Sequence, residues 1–297
     1  MEEFVRSDLA CDRIERLQEE IQGVKTERET IGDCEIQRHW VSVEAEKQID
    51  KPHGCYVTMR WRDLRYLTDE AFEKQAEMLS EELGRLLRGL MGDDRGKNFQ
   101  VLVVGLGNDE LTADAVGPKV VDGLTVTRHL QALEPELFRA LSCGSLAAIV
   151  PGVLGRTGIE ASELLEAAVG IVSPSLIIAV DALAAGSLER LACTVQLSDT
   201  GIVPGSGVGN HRKAITRESM GVPVISVGVP TVVNSSTLVC DLLSRAGISE
   251  PDSALLQELE KGRQFFVSPR DCDALVDRFA CLISRAIELT FVGDLRI

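Results

Sequence analysis

Two aspartates stand where chemistry collects in α/β proteins. Asp114 lies in the loop after Val101-Leu102-Val103-Val104, within VLVVGLGNDELTADAVGP, and Asp181 closes the run Leu176-Ile177-Ile178-Ala179-Val180. Short β-branched and leucine runs bounded by turn signals predict strands buried on both faces, and parallel strands all end on one rim of their sheet. Side chains distant in sequence can meet at that rim. A convergent carboxylate pair can hydrolyse a bond with water: the ionised member takes a proton from the water while the protonated member donates to the carbonyl or leaving group. Two like charges a few ångströms apart cannot both ionise cheaply, which divides the roles. The bland alternative for Asp181 is that it caps a helix starting at Ala182.

Other chemistry-bearing residues are weaker. Gly201 to Asn210, GIVPGSGVGN, lacks the Gly-Lys-Ser/Thr of a phosphate loop and fits a dinucleotide fingerprint poorly. It is either a substrate-contacting loop, with Gly205, Gly207 and Gly209 at a cleft, or a packed turn. Asp199-Thr200-Gly201 matches the triplet of pepsin-type proteases, but those need two triplets and there is one, so Asp199 is kept only as a possible cleft residue. His129 and His211 are the histidines nearest these loops and would have to approach Asp114 or Asp181 to hold a metal. Arg128-His129 is expected instead to end a helix, where positive charge is favoured. Cys143 and Cys193 have no adjacent base and are expected to be buried thiols.

Those residues need elements to position them. Val24 to Arg62 alternates loosely, with turn signals at Gly32-Asp33 and Pro52-His53-Gly54, predicting antiparallel strands with Trp40, Tyr56 and Trp61 on their buried face. Thr68 is a predicted N-cap for a helix carrying Phe72, Ala76, Leu79, Leu83, Leu86 and Leu90 to Gly92. A strand over 101–104 and a helix over Val116–Leu124 follow. Thr157 to Glu160 has capping-box spacing for a helix ending near Val172. Further strands are expected over Leu176–Val180, Cys193–Leu197 and Pro223–Val229, and helices over Ser235–Ala246 and from Asp271 onward. Gly247 to Gln264 is a polar connection, and residues 1–23 a frayed segment or surface helix. The alternation predicts an α/β fold, a mostly parallel sheet flanked by helices with a small antiparallel N-terminal subregion. The expected division is a propeptide, 1–8, and a single domain, 9–297, with a β subregion at 24–62, an α/β core at 97–246 and a C-terminal helix within 265–297.

At 297 residues and 44% hydrophobic content the chain can bury a sizeable core, and its net charge of −15 removes the phosphate-neutralising term behind non-specific nucleic-acid or anionic-lipid binding. Eight cysteines without CxxC spacing argue for reduced thiols. The acidic N-terminus has no apolar signal region and no apolar run reaches the roughly 18 residues of a membrane span, so a soluble intracellular protein is expected.

GLGNDELTADAVGP, VTRHL, PGVLGRTGIE, IIAVDALAAGSLERL, VQLSDTGIVPGSGVGN and GVPVISVGVPTVV, in this order, resemble the germination protease of spore-forming bacteria, densely over Val101 to Val233. The resemblance implies an endopeptidase, without cofactor or metal, that initiates degradation of small acid-soluble spore proteins in the spore-core cytoplasm during germination. It implies an inactive precursor, a homotetramer, and a fold similar to hydrogenase maturation proteases. The family's catalytic aspartates fall on Asp114 and Asp181. Its acidic-aliphatic-alanine cleavage pattern occurs at Asp8-Leu9-Ala10, so self-cleavage is expected between Asp8 and Leu9. Three departures stand out: a short segment before the last helix, Gly186 where the family is usually basic, and Asn234 where it has aspartate. The alternatives are a metal-dependent maturation-type peptidase using Asp114, Asp181 and a histidine, and a relative that binds spore proteins without cutting them.

Overall fold

The computed structural model describes residues 5–17, 21–92, 99–205, 212–248, 252–262 and 265–293. Among them nine strands form one sheet: β1 (Val24–Ile31), β2 (Cys34–Val41), β3 (Gly54–Trp61), β4 (Gln100–Gly105), β5 (Ser145–Ile149), β6 (Leu176–Ala185), β7 (Thr194–Ser198), β8 (Val224–Asn234) and β9 (Phe266–Val267). Their order is β1-β2-β3-β7-β8-β6-β4-β5, with β9 beside the end of β8. The group β5-β4-β6-β8 is parallel. β7 runs antiparallel to β8 and to β3, and this joins the antiparallel N-terminal strands to the same sheet. The chain is therefore α/β, with its N-terminal β subregion continuous with the parallel centre.

Because β5 lies on one side of β4 and β6 on the other, the chain reverses direction at β4. Such a reversal opens a crevice beyond the carboxyl ends of the strands involved, which is where α/β sheets bind ligands.

Strand alternation gives the sheet two different faces. Val101, Val103, Ile178, Val180, Val195, Leu197, Ile225 and Val227 meet the helices Asp69–Met91 and Cys272–Phe291 in the largest apolar cluster. The opposite face carries a smaller cluster of Leu102, Val104, Ile177 and Ala179 under the helix Ala161–Val172. Toward β7 and β8 that face turns polar, with Gln196, Ser198 and Ser226 all buried.

Thr68 caps its helix through Ala71 N–H, as its spacing predicts. Other expectations are corrected. The capping box is Glu160 with Glu163, because Gly158 takes a left-handed turn that ends the short helix Leu154–Thr157 first. His129 begins the helix Arg128–Leu133 rather than ending one. Trp40 is 36% exposed with Lys25 over its ring, while Tyr56 and Trp61 are buried in separate clusters. Residues 253–262 form a helix within the segment expected to be a polar connection, and β9 comes after that segment. β5 has no strand signature in the sequence, since Ser145-Leu146-Ala147-Ala148-Ile149 has few β-branched residues. The helix Ala10–Arg16 buries Ala10, Cys11 and Asp12 and is not a surface helix.

Candidate active site

Asp181 does not end its strand. β6 continues to Ala185, so no helix starts at Ala182. What ends at this point is the neighbour: β4 pairs with β6 only as far as Gly105 opposite Val180. Asp181 is the first residue of β6 beyond that pairing and still lies opposite Gly228 of β8. It shares a face with Ile177 and Ala179, is 6% exposed, and its Oδ1 accepts from Ala182 N–H at 2.9 Å.

Asp114 comes to the same crevice from the loop after β4. Gly107 makes the tight return, with φ of 109° and no room for a Cβ against the Asp114 carbonyl. The Asn108 N–H then donates to Asp114 Oδ2 at 2.9 Å and to its carbonyl oxygen at 3.1 Å. Leu106 N–H donates to the Val180 carbonyl at 2.8 Å, fixing the loop beside Asp181, and Thr231 Oγ1 donates to the Ala113 carbonyl at 2.5 Å.

Burial holds Asp181 well above the usual carboxylate range, and the nearby charges of Asp114 and then Asp8 push it further. Asp114 is also raised by burial, partly offset by its Asn108 hydrogen bond and by Arg212. Arg212 eases both carboxyls. Asp181 thus feels the charge of Asp114, and Arg212 acts on both, so of the two it is Asp181 whose protonated form is the more favoured.

The N-terminal segment runs into this crevice. Asp8 N–H donates to the Ala184 carbonyl at 3.0 Å, and Ala184 N–H donates to Asp8 Oδ2 at 2.8 Å. Leu9 is fully buried against Cys11, Leu183 and Ile202. Ala10 N–H reaches Gln196 Oε1 at 2.7 Å, Lys51 Nζ donates to the Asp8 carbonyl at 2.8 Å, and Gly186 N–H donates to buried Asp12 at 2.8 Å. A Cβ at Gly186 would stand 2.8 Å from Ser7 Cβ and against Asp12 and Arg16, so glycine here is what lets the segment lie so close. Next to Arg6, Ser7 and Asp8 a cavity of roughly 530 Å³ opens over Ser226 and Gly228.

The other sequence candidates are placed differently. Asp199 Oδ1 accepts from Cys55 N–H at 2.7 Å, and it is the flanking Ser198, Thr200 and Gly201 that line the cavity. Gly205 ends the described part of its loop; Gly207, Gly209 and His211 lie outside the described residues. Among the described residues no three His, Cys, Asp or Glu side chains gather as a metal would require. Cys143 is buried as expected, Cys193 only half-buried, and burial raises both thiols. No described helix is long and apolar enough to cross a membrane.

A family model described as Germination protease matches residues 4–245. The chain belongs to the germination proteases. It is 39% identical to the germination protease of Caldanaerobacter subterraneus subsp. tengcongensis over 96% of this chain and 93% of that one. It is 36% identical to that of Clostridium perfringens strain SM101 over 96% of this chain and 94% of the relative. With that of Bacillus subtilis the identity is 39% over 80% of this chain and 66% of the relative. Among solved structures, the NiFe-hydrogenase maturation protease HycI from Thermococcus kodakarensis aligns over 65% of this chain and 96% of its own at 18% identity, with a TM-score of 0.34, too loose to bear on the fold. Family membership makes the chain a peptidase of spore germination.

Sequence reading missed Lys51, Gln196, Arg212 and Asp12. One signal existed: Thr194-Val195-Gln196-Leu197-Ser198 alternates strictly yet is buried throughout. A polar face on a strand covered on both sides must meet polar partners. Here Gln196 meets the N-terminal segment.

Proposed function

We propose that this germination protease cleaves peptide bonds by water activated between Asp114 and Asp181, and that its first substrate is its own Asp8–Leu9 bond. The observation that carries the reading is the seating of Asp8. Its backbone and carboxylate pair with Ala184, three residues beyond Asp181 on the same strand, and its charge acts on Asp181. A segment held this way fills the crevice that another peptide would need, so the uncut chain is a precursor and removal of residues 1–8 opens the site.

The ionised aspartate accepts the proton of the attacking water, and the protonated one supplies the leaving nitrogen. Asp181, the more deeply buried and more strongly raised, suits the donor role, and Asp114, partly exposed and near Arg212, suits the base. The substrates in trans are small acid-soluble spore proteins, presenting an acidic residue, a branched aliphatic and alanine as Asp8-Leu9-Ala10 does. By family likeness the protease works as a homotetramer in the spore-core cytoplasm.

The test is incubation of the purified full chain, alone and with a small acid-soluble spore protein, with N-terminal sequencing of products. A new terminus at Leu9 and cuts after acidic residues in the substrate are expected, both lost in Asp114→Asn and Asp181→Asn. Near-wild-type cleavage by either variant would remove that residue from the mechanism.

A further inference from the structure

The peptide group joining Asp8 to Leu9 is held at both ends. Its N–H donates to Ser7 Oγ at 3.0 Å, and its carbonyl oxygen accepts from Lys51 Nζ at 2.8 Å. Lys51 is brought there by local backbone. The short helix Glu46–Ile49 ends at Asp50 in the left-handed region, φ 56°, a conformation aspartate tolerates, and the Lys51 N–H closes back on the Glu46 carbonyl. The Lys51 side chain lines the cavity next to Asp8 and Ser7.

We propose that Lys51 is a catalytic residue of the cleavage, its ammonium stabilising the negative charge that develops on the carbonyl oxygen of the scissile bond. The inference rests on the reading that Asp8–Leu9 is the bond cut.

The chemistry gives the reason. An aspartate pair sharing one proton has two places that need help, the carbonyl oxygen during attack and the leaving nitrogen during collapse. A cation fixed on the oxygen meets the first need and leaves the proton free for the second. Water oxygen bonds to the Asp8 carbonyl carbon and gives a proton to the ionised aspartate, while the π pair moves onto the oxygen facing Lys51. As the intermediate collapses the C–N bond breaks, its electron pair takes the proton of the other aspartate, and the C=O bond re-forms. The pair ends with one proton, as it began, Leu9 has an amine, and Asp8 has a new carboxyl group that ionises. Lys51 remains protonated throughout. Burial holds the Lys51 ammonium below the ordinary lysine range and Arg13 adds to that, while the charges of Asp8, Asp50 and Asp12 act the other way.

The test measures first-order self-cleavage of the full chain in wild type, Lys51→Met, Lys51→Gln and Lys51→Arg, with hydrogen exchange at the Asp8 amide reporting whether the segment stays seated. Removing a donor aimed at a developing oxyanion typically costs about 10²- to 10³-fold. Lys51→Met is expected to lose at least about 10²-fold with Asp8 protection unchanged, Lys51→Gln somewhat less, and Lys51→Arg, which keeps the charge, to stay within about 10-fold. Should Lys51→Met fail to fold, the Gln and Arg variants carry the same contrast. Cleavage of the Met or Gln variant at close to the wild-type rate would overturn the role of Lys51 while leaving the cleavage site intact. A rate loss matched by an equal loss of Asp8 protection would reduce Lys51 to a clamp and overturn catalysis. Wild-type chain that yields no terminus at Leu9 would instead remove the cleavage reading, and the inference with it.

Discussion

The two faces of the sheet are built on opposite principles. One is covered by two long helices, Asp69–Met91 and Cys272–Phe291, over a continuous apolar layer in which the main buried charge contact is the two-point pair of Arg38 with Glu82 at 2.7 and 2.9 Å. The other, from β7 across to β6, is covered by short pieces and buries Gln196, Ser198, Ser226, Asp181 and, from the N-terminal segment, Asp12 and Ser7. Apolar burial supplies stability without direction, whereas each buried polar atom costs free energy unless a partner meets it. The first face therefore holds the fold, and the second holds a peptide.

The largest effect should come from breaking the first face. Phe279 is 1% exposed and stands edge-on to Trp61, with ring centroids 6.2 Å apart. Phe279→Ala should cost about 3–5 kcal/mol of unfolding free energy, read by denaturant melts. The first-order self-cleavage rate of the remaining folded protein should hardly change. An equal fall in that rate would mean the faces are not separable.

Asp114→Asn and Asp181→Asn should do the reverse. Loss of a proton-transfer carboxylate should slow cleavage at least about 10²-fold, roughly 2.7 kcal/mol of barrier. Stability should move the other way. Both carboxyls are raised in the folded protein, so above the ordinary carboxylate range the unfolded chain gives up protons that the folded chain keeps. Folding stability contributed by these groups then falls as pH rises through the raised values. Asp181→Asn should melt higher than wild type at neutral pH, and the difference should shrink in mildly acidic buffer. Self-cleavage by the wild type should also be faster in mildly acidic than in neutral buffer if the pair must share a proton. A rate flat across that range, or an Asn variant less stable at neutral pH, would contradict the assignment.

How far the sequence reveals each face follows the same division. Leu79, Leu83, Phe279, Ile283 and Ile287 repeat at helical spacing because a helix on an apolar layer needs one stripe, so those helices are legible within a residue or two. Asp114 and Asp181 are legible through the strands before them. Their surroundings are not, because Lys51, Arg212, Gln196 and Asp12 come from four unrelated elements and meet only through strand order. Asp181 reads as a strand end because nothing local shows that β4 stops while β6 goes on. The helix at 253–262 was hidden by its polarity, although Leu255 and Leu259 sit one turn apart and Asp252 accepts from Leu255 N–H at 2.8 Å.

Gly186→Ala tests the close approach on the second face. Its Cβ would meet Ser7 Cβ and the Asp12 carboxylate, and Asp12 is already pinned by Gly186 N–H and Ser7 Oγ. Overpacking at such a site costs about 1–3 kcal/mol, and the segment can escape it by lifting off. Faster proteolytic trimming before Leu9 by an added protease, with the melting temperature nearly unchanged, is expected. An unaltered trimming rate would show that the segment has slack.

Asn234 gives the smallest effect and tests whether a family departure matters. At the end of β8 its side-chain oxygen accepts from Ser236 N–H at 3.0 Å and caps the helix Ser235–Arg245. Arg6 N–H donates to Thr237 Oγ1 of that helix at 3.1 Å, so the cap also anchors the start of the N-terminal segment. Asparagine and aspartate cap about equally well, so the aspartate that the resemblance implies at this position would keep the same turn. Asn234→Ala should cost about 1 kcal/mol, a melting shift of roughly 2–4 °C. Because the alanine leaves Asp114, Asp181 and Ala184 in place, self-cleavage should fall by less than the stability change would give if all of it reached the transition state. A larger fall would mean that this helix end, and not β6 alone, sets the register of Asp8.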